Sequence, residues 1–401
     1  MLWEEMKKIW RPGMVLLLLL LGVVFYTMFL EFYIRYFPNG PYNTGMLEEG
    51  KRLVLTYGTN LSQKEMAELE KEISALRSQA DRYVRESEIG KKHGLETYEQ
   101  YDAFMREASQ AASAEGVGAD QKKNYKDSMR LRQYLQDEKM HNIEERLYAA
   151  CWFVETYHAK ETYGPQFELT GASTKEQPHA KLFYADDKKW QNILPYEVPL
   201  AASAYAGYLL VWICVSVCIL LSPLLVRDRM SRMRSLQYSS RRGRGIYRSQ
   251  LAAVILSALL VTAGNLAVFG GLFLTRGTAV FFPCRMYSFA VMQLCWPDWT
   301  HGAWCLMLVF LCYLMAVGTA GIVFCLAQGS RNYVIMLLRI VPLATALELF
   351  CPKLMENAFY FGNKLYQLSG IPYVELWSAG AVFVVGMGLC ALGCRQFKKD
   401  V

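Results

Sequence analysis

The 401-residue chain has no GxxxxGK(S/T) phosphate loop, no GxSxG elbow and no HExxH pair. These absences exclude a P-loop nucleotidase, an α/β-hydrolase and a zincin in turn. Histidine is scarce, with five residues (His93, His141, His158, His179, His301) that form no cluster at ligand spacing. No CxxC pair stands outside the apolar runs, so neither a zinc site nor a disulfide framework is signalled. Six of the eleven cysteines (Cys214, Cys218, Cys305, Cys312, Cys325, Cys390) fall within apolar runs, where cysteine acts as a small hydrophobe. Cys151, Cys284, Cys295 and Cys351 fall in polar or connecting segments, and a Cys284–Cys295 bridge is left open. Enzymatic chemistry, with a metal or cofactor of its own, is not expected of this chain.

Acidic residues are also scarce outside the middle of the sequence. Residues 36–198 carry 22 Lys/Arg against 27 Asp/Glu, a net of −5, and the rest of the chain carries a net of +12. That positive charge gathers at the ends of apolar runs, so it reads as membrane topology and not as nucleic-acid binding. The densest concentration is residues 227–248, RDRMSRMRSLQYSSRRGRGIYR, with eight arginines and the single acid Asp228. An arginine costs roughly 2.5–3.5 kcal/mol at the centre of a membrane helix, so this stretch lies outside lipid. The positive-inside bias puts it in the cytoplasm and orients everything else.

Crossing a bilayer takes about 20 apolar residues. Runs at 14–34, 200–226, 251–274, 304–327, 334–350 and 376–392 predict six spans with both termini cytoplasmic, in the cell membrane. The first run lacks a small-residue cleavage site and reads as a signal anchor. Ahead of it, Leu2, Met6, Ile9 and Trp10 share one helical side. They predict a short interfacial helix whose Lys7, Lys8 and Arg11 face lipid headgroups. Residues 281–296, interrupted by Pro283 and Arg285, read as an external interfacial or re-entrant segment, and residues 352–373 as its counterpart.

The architecture expected is therefore an all-α polytopic membrane protein. Residues 1–35 hold the interfacial helix and span one, 36–198 a mainly helical extracellular domain, and 199–401 spans two to six. Within the domain, Leu69, Ile73, Leu76, Ala80 and Tyr83 repeat at helical spacing. A second helical stretch is expected over 122–158, breaks at 90–94 and 115–118, and a short strand at 181–184. The two stripes predict a helical hairpin packing on itself. Inside the spans, Asn265, Arg339 and Glu348 stand out as candidates for a substrate path, because polar groups there are costly. Gly318–Gly321, Gly270–Gly271 and Gly386–Gly388 read as close-packing sites between spans.

In the arginine-rich segment, Val226, Met230, Met233 and Leu236 repeat at three to four residues with arginines opposite. This predicts an amphipathic helix on the membrane surface, followed by a turn at Ser239-Ser240 and Gly243. The order of elements and the pattern Asp228, Arg232, Leu236, Ser239, Ser240, Arg241, Gly243, Arg244 resemble the permease subunits of ABC-2 type exporters, the Gram-positive kind with a long first external loop. The family usually has Glu where Asp228 stands. It often continues to a lysine near the position where this chain has Arg248 and Gln250. The resemblance covers the spans and their connections, about 240 residues, and not the external domain.

It implies a type V-like exporter subunit that pairs with a second permease copy, identical or not. A separate cytoplasmic ATP-binding subunit would dock on Asp228, Arg232, Leu236, Arg241, Arg242, Gly243 and Arg244. ATP would be bound by that partner, and closure there would move an amphipathic cargo such as a peptide, drug or lipid-like molecule. Contact of the arginines with membrane lipid is a secondary expectation. The alternative is a membrane sensor whose residues 36–198 detect an extracellular peptide.

Overall fold

The structure, a computed structural model, describes residues 2–38, 43–113, 118–137, 142–163, 178, 181, 193–230, 246–289 and 295–399. Helix dominates, and no β-strand occurs among the described residues, only three isolated bridges. The chain divides into two compact units. One comprises Met1–Phe37, Val198–Met286 and Val291–Val401, and the other comprises Pro38–Glu197 with Tyr287–Ala290.

The first unit carries six helices long and apolar enough to cross a membrane. They are Pro12–Arg35, Glu197–Asp228, Ile246–Leu274, His301–Gln328, Tyr333–Met355 and Val374–Cys394, hereafter spans one to six. The protein is a multi-pass membrane protein. Each span is apolar on all sides, so no single stripe dictates how it packs. Instead, small residues decide it. An added Cβ on Gly318 would lie 2.7 Å from the backbone of Val382 and Phe383, and one on Gly321 would lie 2.7 Å from Gly386. Spans four and six therefore meet backbone to backbone. Gly270, Gly271 and Gly388 face open space, contrary to the packing role expected of them. Spans two and four are the most buried, whereas spans one, five and six turn most of their surface outward.

Three helices depart from regular geometry. Span two breaks at Ser222, ahead of Pro223, which starts a last short helix to Met230. Span one is π-helical over Tyr26–Leu30, and span three over Leu266–Gly270. The rings of Tyr26 and Phe269 stack there at 6.0 Å. Span five runs on through Pro352 to Met355, beyond its expected end at residue 350, so Cys351 belongs to the span and not to a connection. Residues 278–281 and 286–288 form short 3-10 turns and not a crossing. Cys284 and Cys295 are both free and buried. The Cys295 thiol donates to the Phe359 carbonyl at 3.1 Å, and burial pushes the Cys284 thiol up to about 12.

The second unit is a helical bundle. The expected stripe forms the buried face of helix Gln63–Glu86, which begins with a reciprocal Ser62/Glu65 cap. The single helix expected over 122–158 is two, Ala119–Leu135 and Ile143–Tyr163. The chain leaves the first at Gln136 and enters the second from Asn142, held at φ 39°, a left-handed conformation that asparagine tolerates. Helix Gln63–Glu86 packs on Ile143–Tyr163, as a hairpin would. Two further helices, Asn43–Tyr57 and Tyr98–Ala112, complete the bundle. The break expected at 90–94 falls on either side of a short helix, Glu88–His93, capped by Ser87 and by Gly94 at φ 66°. Leu53, Leu69, Val84, Leu131, Ala150 and Phe153 centre its core. On its surface, the Glu70 carboxylate accepts from His158 at 2.7 Å and holds that imidazole above its ordinary pKa. Of the expected break at 115–118 and strand at 181–184, only Gly118 and Lys181 are described.

Candidate coupling site

The site begins with the N-terminal helix, Leu2–Ile9. Its apolar side was expected to face lipid, but Met6 and Ile9 are buried, together with Glu5, against the first turns of span three. Trp10 Nε1 donates to Ser257 Oγ at 3.0 Å, and Ser257 Oγ lies 3.4 Å from Met6 Sδ. Leu2 and Trp3 stay exposed, and Lys7 is an exposed partner of Glu4. Pro12 then starts span one, where its missing N–H costs nothing.

Lys8, expected to face lipid headgroups, is instead engaged by carboxylates of the protein. Its Nζ donates to Glu5 Oε1 at 2.6 Å and to Asp228 Oδ2 at 3.4 Å. Gln250 Nε2 donates to the same Asp228 oxygen at 3.4 Å, and Arg227 Nη2 donates to the Lys8 carbonyl at 3.2 Å. Asp228 is buried, at 6% exposure. The one acid of the arginine-rich segment therefore ties three elements together: the N-terminal helix, the end of span two and the start of span three. Its carboxylate points into the protein. The positions expected to continue the docking surface (Arg232, Leu236, Arg241, Arg242, Gly243 and Arg244) lie outside the described residues.

Asn265, Arg339 and Glu348 are not joined by any hydrogen bond or ion pair among the described residues. Asn265 Nδ2 donates to the Val261 carbonyl at 2.9 Å, just before the π-helical turn. Arg339 lies near the start of span five with Nη1 3.5 Å from the Leu326 carbonyl. There the cation faces the negative end of span four. Glu348 is exposed on span five between Leu347 and Leu349. Because the helix continues to Met355, Glu348 lies well inside the span and not at its end. Among the described residues, no group of three His, Cys, Asp or Glu side chains gathers to hold a metal.

Sequence reasoning named Lys8 and Gln250 without their contacts to Asp228, and missed Ser257 altogether. Only the Glu5–Lys8 spacing hinted at the first, and an apolar face looks the same whether it meets lipid or protein. The chain matches no protein-family model, no curated protein and no solved structure.

Proposed function

We propose that this chain is the membrane-spanning permease subunit of an ATP-driven exporter of the ABC-2 type, and that residues 227–248 dock a separate ATP-binding subunit. The observation that carries the reading is the junction at Asp228. The arginine-rich segment leaves a point where the N-terminal helix and spans two and three are tied by Lys8, Asp228, Gln250 and Arg227. A force applied to that segment reaches two crossings and the N-terminal helix at once. The sequence pattern supplies the second support, because guanidinium groups pair bidentately with carboxylates on a partner surface. In this reading the 36–198 domain is extracellular, two permease copies frame the path, and the cargo is amphipathic.

The test replaces Arg241, Arg242 and Arg244 by Ala and co-purifies the variant with its ATP-binding partner. Loss of charge-assisted bonds worth about 1.5–3 kcal/mol each should weaken assembly at least tenfold and abolish cargo-stimulated ATP hydrolysis. The membrane domain should stay folded, within about 0.5 kcal/mol per site. Unchanged assembly and stimulation would remove the docking role and leave the arginines as topology signals.

A further inference from the structure

Spans two, three and four enclose a cavity of about 630 Å³ at the ends remote from residues 227–248. Ala202, Ala206 and Leu209 wall it from span two, Leu266 and Gly271 from span three, and His301 and Cys312 from span four. It is open on one side, and Leu274 and Leu306 in its lining are exposed. Its long direction follows the helices, because His301 and Cys312 are eleven residues apart on one helix, about 16 Å of rise. Leu266 to Leu274 and Ala202 to Leu209 cover about 10–12 Å on the other two walls.

The two ends of this cavity differ in chemistry. Near the helix ends stand Thr278 and His301, and the other walls are aliphatic or aromatic apart from Cys305, Cys312 and the Tyr205 hydroxyl. Thr278 is 1% exposed, and its hydroxyl has no hydrogen-bond partner among the described residues. Burying a hydroxyl in that way is unfavourable, so it calls for a partner that no described residue provides. The nearby Tyr205 hydroxyl donates elsewhere, to the Phe269 carbonyl at 2.8 Å, and makes no bond to Thr278. The space is kept open by composition: a Cβ added to Gly270 or Gly271 would meet nothing within 4 Å. No Lys, Arg, Asp or Glu is among the described residues that line the cavity.

We infer that this cavity binds an uncharged, single-tailed amphiphile. Its hydroxyl-bearing head bonds Thr278, and its tail runs between spans two, three and four. The volume lies within the roughly 300–1,000 Å³ of sites for one small ligand. A wholly apolar occupant would leave the Thr278 hydroxyl unmet, and a phosphate-bearing head would find no cation among the described lining residues. The inference does not rest on the export reading, since it concerns one face of one chain and needs no ATP-binding partner.

The test uses the full chain in phosphatidylcholine nanodiscs with a 1-monoacylglycerol that carries a photoreactive diazirine at mid-chain. Crosslinks should concentrate on residues 266–274 and 301–312, and excess unlabelled monoolein should suppress them. Ala206→Phe, which fills the space, should cut labelling about tenfold. Thr278→Val should weaken monoolein competition about fivefold and Thr278→Ser should restore it, as one lost hydrogen bond implies. Thr278→Val removes a hydroxyl that has no partner, so it should melt no earlier than the native chain. If Ala206→Phe lowers the melting temperature, Gly271→Leu replaces it as the filling variant. Labelling spread over the outward faces of spans one and five, insensitive to monoolein, would overturn the proposal in favour of ordinary lipid contact. Equal competition by lysophosphatidylcholine would overturn the uncharged class.

Discussion

Lys8 stands between two carboxylates that are nearly out of contact with water, Glu5 at 5% and Asp228 at 6% exposure. A methionine there would keep the aliphatic stem and remove the cation. Lys8→Met should therefore cost about 1.5–3 kcal/mol, the range for hydrogen bonds to charged groups. It should also loosen the N-terminal helix, seen as a lower melting temperature and faster proteolysis before residue 12. Combined with Asp228→Asn, the loss should be clearly less than the sum of the two single losses, because the partners share one contact. Strict additivity would mean that the pair does not hold the helix. Asp228 was legible from its place in a spaced pattern of arginines, but its inward direction was not. Its partner lies 220 residues away, and local spacing carries no trace of such a contact.

At the scale of elements, the spans were readable because length and apolarity alone decide whether a helix can cross a bilayer. Their ends were not, since these depend on caps and on tolerance of proline. Asn332 accepts from the Ile335 N–H at 2.9 Å and starts span five, while Pro352 fails to stop it. Glycines show the same limit. The sequence offered three pairs as packing sites, and only Gly318, Gly321 and Gly386 touch a neighbouring backbone. Gly386→Leu should thus force spans four and six apart and cost about 1–3 kcal/mol, as overpacking does. Gly388→Leu, which enters open space, should stay within about 0.5 kcal/mol. Thermal melts of both variants in one detergent check the contrast, and equal melting temperatures would contradict the packing assigned here. In the bundle of the second unit, the helix at 63–86 was legible from its stripe. The division of 122–158 was hidden because apolar positions continue on both sides of Asn142.

For the whole molecule, charge separates more cleanly than hydropathy. Residues 36–198 are net acidic, and the remainder, with its basic clusters at span ends, is net basic. If the arginine-rich segment is cytoplasmic, as the positive-inside bias expects, and all six apolar helices cross, both termini should be cytoplasmic. A phosphatase fused after Val401 should be inactive, and the same reporter inserted near residue 115 should be active, in intact cells. Activity of the C-terminal fusion would reverse the topology and remove the docking reading with it. The cavity beside Thr278 was invisible in the sequence at this scale. It arises from what three helices leave unfilled, and no residue pattern encodes an omission.

The two π-helical turns set a phase. In span one Gly22 faces inward, and two α-turns on, at about 3.6 residues each, residue 29 should follow. Yet Leu30 and then Ile34 are the buried positions. In span three the inward series Val254, Ala258, Val261 should reach Leu272, which is exposed, while Phe273 is buried. Each helix has thus slipped its thread by one residue, about 100° of rotation, on opposite sides of the Tyr26–Phe269 stack. The slip turns Phe273 onto the Tyr205 ring, 4.8 Å away. Each of these crossings therefore shows the bundle two differently aimed stripes, one before the turn and one after it, and a heptad drawn straight through either would place its second half on the wrong side.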